Sequence, residues 1–273
     1  LSATRFVTSF FFGPPRGPFF GLFKVETLKK ILHPATARGY ANHGWLKANH
    51  SFSFASWYDP EKVHFGCLRV WNDDWVAPGM GFGTHPHDNM EIVTIPLTGV
   101  LEHADSMGNR EQLHPGEVQA MSAGTGITHS EYNGSKTDPC TLFQIWVLTE
   151  KRQAVPRYHQ VVFPETHRAN CWGLMVGPDG AEEAPLHVYQ NAWFSQIQTS
   201  EEASFPYTVR GGAGQGVYFM VVEGQATVAG TVLGPRDAIG VWEVGEPSTV
   251  DVALAPSTRV VAVEVPMALP VMH

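Results

Sequence analysis

Short alternating and apolar runs dominate the chain. "HSFSFASWY" sets Phe52 and Phe54 against Ser51 and Ser53, while "EIVTIPL", "TLFQIWVLT", "GVYFMVVEG" and "STRVVAVEV" are runs of β-branched and aromatic residues. A strand turns successive side chains to opposite faces, so alternation marks half-buried strands and unbroken apolar runs mark inner ones. The runs are bounded by Gly, Pro, Asp or Asn, and 27 glycines and 20 prolines punctuate the whole chain. The pattern predicts an all-β protein of sandwich or barrel type. Helix is expected only in "KVETLKKIL", where Leu28 and Ile31 or Leu32 would share a face, and around Glu201 in "TSEEASF", which looks like a helix cap. Neither piece houses a catalytic constellation.

A faint internal repeat sets the domain organisation. "IVTIPLTGVLEHADSMGNREQLHPGEVQAMSAG" and "VYFMVVEGQATVAGTVLGPRDAIGVWEVG" share an order of strand, Gly, short strand, turn, acid and strand. This predicts two similar β-barrels in tandem. Their seam is expected near residue 150, where charge and proline replace alternation, with terminal strands able to cross over. The division is then an irregular extension at residues 1–23, a first domain at 24–150 and a second at 151–273. The extension, "LSATRFVTSFFFGPPRGPFFGLF", has an apolar run cut by Gly13-Pro14-Pro15, far short of the ~20 residues a membrane span needs. Its prolines also spoil the amphipathic helix of a transit peptide.

Composition narrows the function classes. Apolar residues make up 43% of the 273 and charged residues 16%, which describes a globular chain with a sizeable core. The net charge is -8 and no window gathers Lys and Arg into a stripe, so nucleic acid is not expected as a direct ligand, nor a membrane. Three scattered cysteines, Cys67, Cys140 and Cys171, predict buried thiols in a reducing compartment rather than a disulfide framework. With no convincing export signal, the expected location is the cytoplasm.

The histidines are concentrated. Eleven of the 13 fall between His33 and His167, which assigns any metal chemistry to the first domain and none to the second. His85 and His87 in "GFGTHPHDNMEIVTIPLTG" are two apart, so a strand would project both into one space with Pro86 turned away. In "GTGITHSEYN", His129 and Glu131 repeat that spacing after a Gly-rich turn. Two strands, each offering two inward ligands, make a four-ligand site of three imidazoles and a carboxylate. Such a set suits Fe(II), Mn, Co, Ni, Cu or Zn rather than Ca or Mg and leaves open positions. Glu91 has the same parity as His87, and spacing alone does not choose between it and Glu131. His103 and His114, beside turn residues, read as surface or loop hydrogen-bonders, and His43 and His50 as structural. Cys67 reads as inert core.

The same segments resemble known motifs. "GFGTHPHDNMEIVTIPLTG", preceded by Gly79, resembles the first cupin motif, and "GEVQAMSAGTGITHSEYN" resembles the second, with His129 and Asn133 in its H-x3-N. "TARGYANHGWL", "FSFASWYDPEKVHFGCLRVWNDD", "LEHADSMGN" and "LFQIWV" narrow the likeness to the pirin family of bicupin proteins, over roughly residues 30 to 165. The resemblance implies two tandem cupin domains and a metal held by His85, His87, His129 and Glu131. Glu91 then becomes a neighbour of the ligands or of the pocket.

Function follows from the resemblance as an expectation. Proteins similar to this family cleave flavonols such as quercetin with dioxygen and release carbon monoxide. The implied activity is a quercetin 2,3-dioxygenase-like reaction with Fe(II) as the leading metal, a flavonol-type substrate and dioxygen. Glu131 would take the substrate's hydroxyl proton. Metal binding is expected to weaken as pH falls toward the imidazole range. The resemblance also implies a second reading, a metal- or redox-dependent regulator that binds a transcription factor or a metabolic enzyme through the same site.

Overall fold

Apolar runs that cannot face water on either side belong at the middle of a sheet. In the computed structural model, which describes residues 28–245 and 248–270, two of them, Met90–Thr98 and Cys140–Leu148, lie side by side with the mixed strand Leu68–Val76 at the middle of an antiparallel sheet of seven strands. Glu117–Ser122 and Arg157–Val162 extend it on one side, Leu46–His50 and Gly39–Asn42 on the other. A four-stranded sheet, in the order Gly81–His87, Ile127–Asn133, Leu101–Asp105 and Arg110–Leu113, belongs to the same domain. Leu46, Val76, Leu101, Leu113 and Leu142 form one buried cluster joining the two sheets. Burying a side chain of this size contributes about 1.5–3 kcal/mol, which is what holds a sandwich closed.

The second domain repeats the plan. Its seven-stranded sheet runs Lys29–His33, Ala238–Trp242, Gln215–Glu223, Thr258–Pro266, Trp193–Thr199, Gly173–Pro178 and Leu186–Val188. Its four-stranded sheet runs Ala203–Ser204, Val252–Leu254, Ala226–Val228 and Thr231–Leu233. The repeat seen in the sequence is visible here: Met90–Thr98 and Gln215–Glu223 hold equivalent places, and so do Glu117–Ser122 and Ala238–Trp242. The two large sheets share a core in which Trp71 and Tyr218 stand 5.6 Å apart between ring centroids. Gly216 and Gly240 make room there for Phe65, since a Cβ at either would lie 2.8 or 2.4 Å from its ring.

Three expectations are corrected. "KVETLKKIL" is not a helix where it is described: Lys29–His33 is a strand paired with Ala238–Trp242 of the second domain, and residues 24–27, like the extension at 1–23, lie outside the described residues. Its helical periodicity rested on two apolar matches, and Ile31 and Leu32 are in fact exposed. In "TSEEASF" the capping chemistry closes a turn instead of starting a helix. The Glu201 N–H donates to Thr199 Oγ1 at 3.1 Å, and Ala203–Ser204 then pairs with Ala253 and Leu254. Arg157–Val162, past the expected seam, pairs into the first large sheet, a crossing of a terminal strand of the kind the sequence allows for. That strand and Lys29–His33 sit at matching edges, so each domain's sheet is completed by a segment from the other's side of the chain. Cys67 and Cys140 are buried as expected, with burial pushing both thiols up to about 11, but Cys171 is exposed. Among the described residues no helix is long and apolar enough to cross a membrane.

Candidate metal centre

Strands Gly81–His87 and Ile127–Asn133 run antiparallel, with His85 opposite His129 and His87 opposite Ile127. The pleat therefore delivers His85, His87 and His129 to one side of the ladder. Their ring centroids form a near-equilateral triangle of 4.5, 4.8 and 4.9 Å. Between His129 and Glu131 the register slips, and Glu131 pairs with Phe82. The extra residue lies in Gly81–His87, where three steps from Phe82 to His85 face two from His129 to Glu131, while Ile127–Asn133 stays regular against Leu101–Asp105. The two strands approach closely because position 81 is glycine: a Cβ there would meet the Glu131 carbonyl oxygen at 2.2 Å.

The donor atoms suit a cation. His85 Nδ1 lies 2.8 Å from the Gly83 carbonyl, so it donates there and leaves the Nε2 lone pair facing inward. That Nε2 stands 3.0 Å from His129 Nε2. Two nitrogens each about 2.1 Å from one ion, at right angles, would be about 3 Å apart. His87 Nε2 is buried with no hydrogen-bond partner, an orphan that an ion would satisfy. Burial, reinforced by the other imidazoles, lowers His87 to about 4 and His129 to about 3, so both stay neutral and able to ligate.

Glu131 lies next to His129. It is 3% exposed, and both carboxylate oxygens accept from Gln144 Nε2, at 2.8 and 2.7 Å. Burial raises its carboxyl to about 7 against the opposing pull of Gln144. Trp146 Nε1 donates to Gln144 Oε1 at 3.2 Å and holds the amide in that orientation. Potential ligand atoms of His85, His87 and His129 lie within 4.8 Å of one another, and so, as a second overlapping group, do those of His103, His129 and Glu131. Both groups fall in the first domain, and none is found in the second among the described residues.

His85, His87 and Glu131 line a cavity of about 230 Å³. Leu46, Ala48, Phe54, Phe82 and Trp146 give it apolar walls, with His50, Asn72, Asp74 and Gln144 as polar groups. His50 Nδ1 and Asn72 Oδ1 satisfy each other at 2.8 Å. Asp74 is different: its Oδ1 is buried without a partner, and burial, with Asp73 and Glu131 nearby, pushes its carboxyl well above the usual range.

Several sequence expectations are settled by position. Glu91 does not line the cavity. Its Oε2 accepts from Ser122 Oγ at 2.6 Å and from the Tyr189 N–H of the second domain at 3.1 Å, so it ties the domains together. Parity does not carry from His87 to Glu91, because Asn89, at φ 45°, breaks the strand after His87 and Glu91 belongs to the next one, Met90–Thr98, in the other sheet. His103 is not a surface residue: it is 2% exposed and sits in a strand opposite Glu131. Asn133 clasps the following loop, donating to the carbonyls of Val76 and Asp138. His114 is exposed beside a turn, as expected. Gln144, inside the apolar run "TLFQIWVLT", was missed, although a lone amide in a core strand is the signal that finds it.

Comparison with known proteins agrees with this architecture. Residues 32–147 match the Pirin family model, and residues 174–259 match the model described as the quercetinase C-terminal cupin domain. The chain is 43% identical over 212 residues to the quercetin 2,3-dioxygenase of Escherichia coli strain K12, spanning 78% of this chain and 89% of that protein. It is 36% identical over 210 residues to a pirin-like protein of Caulobacter vibrioides, 76% of this chain and 88% of the other. The crystal structure of the bacterial pirin YhhW from Escherichia coli in complex with nickel(II) superposes with a TM-score of 0.80 at 38% identity, covering 89% of this chain and 100% of that one. Two cupin-type domains, matched in order and joined to relatives along most of their length, establish that the chain belongs to the pirin family.

Proposed function

We propose that the protein is a metal-dependent dioxygenase that opens a flavonol-type substrate. His85, His87, His129 and Glu131 would hold one divalent transition metal, with Fe(II) the resident ion. The observation that carries the reading is the histidine triangle, two of whose members line an apolar cavity together with a buried carboxylate. The likeness to a relative named quercetin 2,3-dioxygenase and to a nickel-bound pirin supports it.

When bound, such an ion supplies a Lewis-acidic, redox-capable centre with positions left for oxygen donors. The chain's own residues do the rest. Phe54, Phe82 and Trp146 pack against the substrate's aromatic rings and exclude water. Glu131, the carboxylate of the set that lines the cavity, would take the phenolic proton. Gln144 keeps that carboxylate aimed at the site while the proton moves. Neutral His87 and His129 leave the proton bookkeeping to Glu131.

His129→Ala tests the reading. The variant is expected to lose most bound metal and all oxygenase activity with quercetin. Full activity in that variant would end the proposal.

A further inference from the structure

Behind the histidine triangle stands a second pair that the reaction does not touch. Strand Leu101–Asp105 pairs with Ile127–Asn133 so that His103 faces Glu131 and Asp105 faces His129. His103 Nε2 lies 3.1 Å from Asp105 Oδ2, and both side chains are fully out of solvent. Asp105 is itself fixed: Oδ1 accepts from the N–H groups of Met107 and Asn109 at 2.9 and 3.1 Å, and Oδ2 accepts from Asn109 Nδ2 at 2.7 Å. A carboxylate surrounded by donors is an acceptor, so the proton of neutral His103 belongs on Nε2. Its Nδ1 then carries a lone pair. Tyr158, stacked on the ring at 4.4 Å and 21°, holds the plane.

The His103 ring adjoins the metal centre. Nδ1 of His103 and Nδ1 of His129 are both buried with no hydrogen-bond partner. The two rings are 5.3 Å apart, and a ring nitrogen of each lies within 4.8 Å of the other and of a Glu131 oxygen. A small ring rotation or one bridging water closes such a gap. The other nitrogen of His129 points at His85. A neutral imidazole has one lone pair, so His129 can offer it either to the His85 side or to the His103 side.

We propose that Asp105 and His103 form a positioning relay that decides this. His103 accepts the Nδ1–H of His129, which leaves the His129 Nε2 lone pair aimed at the ion shared with His85. Hydrogen bonds of this kind orient ligand histidines and raise their basicity. The inference rests on the metal site proposed above and adds residues to it.

The test compares His103→Phe, which keeps the stack on Tyr158 but removes the acceptor, with His103→Gln, whose amide oxygen restores one. Nickel(II) affinity, measured by chelator competition, is expected to fall about 10- to 100-fold in His103→Phe and to recover most of that in His103→Gln. In the cobalt(II)-loaded protein, the hyperfine-shifted His129 N–H resonance is expected to exchange slowly with solvent in the native chain and quickly in His103→Phe. Native affinity and slow exchange in His103→Phe would overturn the relay. Equal losses in both variants would also overturn it, because a packing role does not distinguish them. Asp105→Asn, which lets an amide donate to His103 Nε2 and frees the tautomer, is expected to weaken nickel binding in the same direction and serves if His103→Phe does not fold. If the native protein binds nickel but His85→Ala binds it equally well, the metal-site reading has failed rather than the relay alone.

Discussion

Gln144→Leu isolates the group that keeps Glu131 ionised. The substitution preserves volume but removes two hydrogen bonds, of 2.8 and 2.7 Å, to a carboxylate that is 3% exposed. Losing donors to a buried charge costs about 1.5–3 kcal/mol, which at 1.36 kcal/mol per unit raises the carboxyl by about 1–2 units. Starting from about 7, Glu131 would then ionise near 8–9. Protons and metal compete for the carboxylate, so apparent affinity follows its ionised fraction. At pH 7 that fraction falls from about one half to between about a tenth and a hundredth, a loss of roughly 5- to 50-fold in affinity. At pH 8.5 the loss shrinks to roughly 1- to 4-fold. Chelator competition with nickel(II) at the two pH values measures both. A loss of the same size at pH 7 and pH 8.5 would refute the reasoning, since it would place the effect in geometry rather than in the proton. Native binding should weaken with falling pH from about 7 downward, because the carboxylate protonates there while His87 and His129 remain neutral.

Two further outcomes follow. Gly81→Ala puts a methyl group 2.2 Å from the Glu131 carbonyl oxygen, and neither backbone can yield cheaply; overpacking of this kind costs about 1–3 kcal/mol. The melting temperature should fall by several degrees and nickel affinity should drop with it, whereas unchanged affinity would mean that the two strands are not what sets the spacing of the ligands. His33, buried between Phe52 and Tyr218, is lowered from 6.5 to about 4, chiefly by burial. The unfolded chain takes up its proton first as pH falls, so this contribution is intact above pH 6.5 and is lost between 6.5 and 4, amounting to about 2 kcal/mol at pH 5. Denaturant melts at pH 7 and pH 5 should show a smaller stability difference in His33→Phe than in the native chain, and equal differences would contradict the assignment.

The site was legible in the sequence where the strand period alone decides the outcome. His85 with His87, and His129 with Glu131, are each two residues apart, and any strand places such a pair on one face. Parity misled at Glu91 because it holds only within one strand, and the Asn89 turn was invisible to a count of residues. His103 looked exposed because Asp105, Ser106 and Gly108 follow it. Its burial comes from cross-strand pairing with Glu131, a contact between residues far apart in sequence. Gln144 was hidden by its apolar neighbours for the same reason: only the register with other strands shows what its amide faces. The fold class and the tandem repeat were visible in the alternation and the glycine punctuation. That terminal strands could cross over was visible too, but not that Lys29–His33 and Arg157–Val162 are the segments that exchange, since that depends on which sheet edge each reaches. Short stretches such as "KVETLKKIL" carry too few apolar positions to separate a period of 3.6 from a period of 2.

In the proposed reaction, a metal held by this histidine triangle beside an apolar cavity runs oxygen chemistry on a chelating aromatic substrate. The most direct measurement is dioxygen consumption by the iron(II)-loaded protein with quercetin, with carbon monoxide collected in the same vessel. Uptake matched by carbon monoxide release is the expected result. Absence of uptake with every divalent metal that the protein binds, while the metal remains on these ligands, would contradict it.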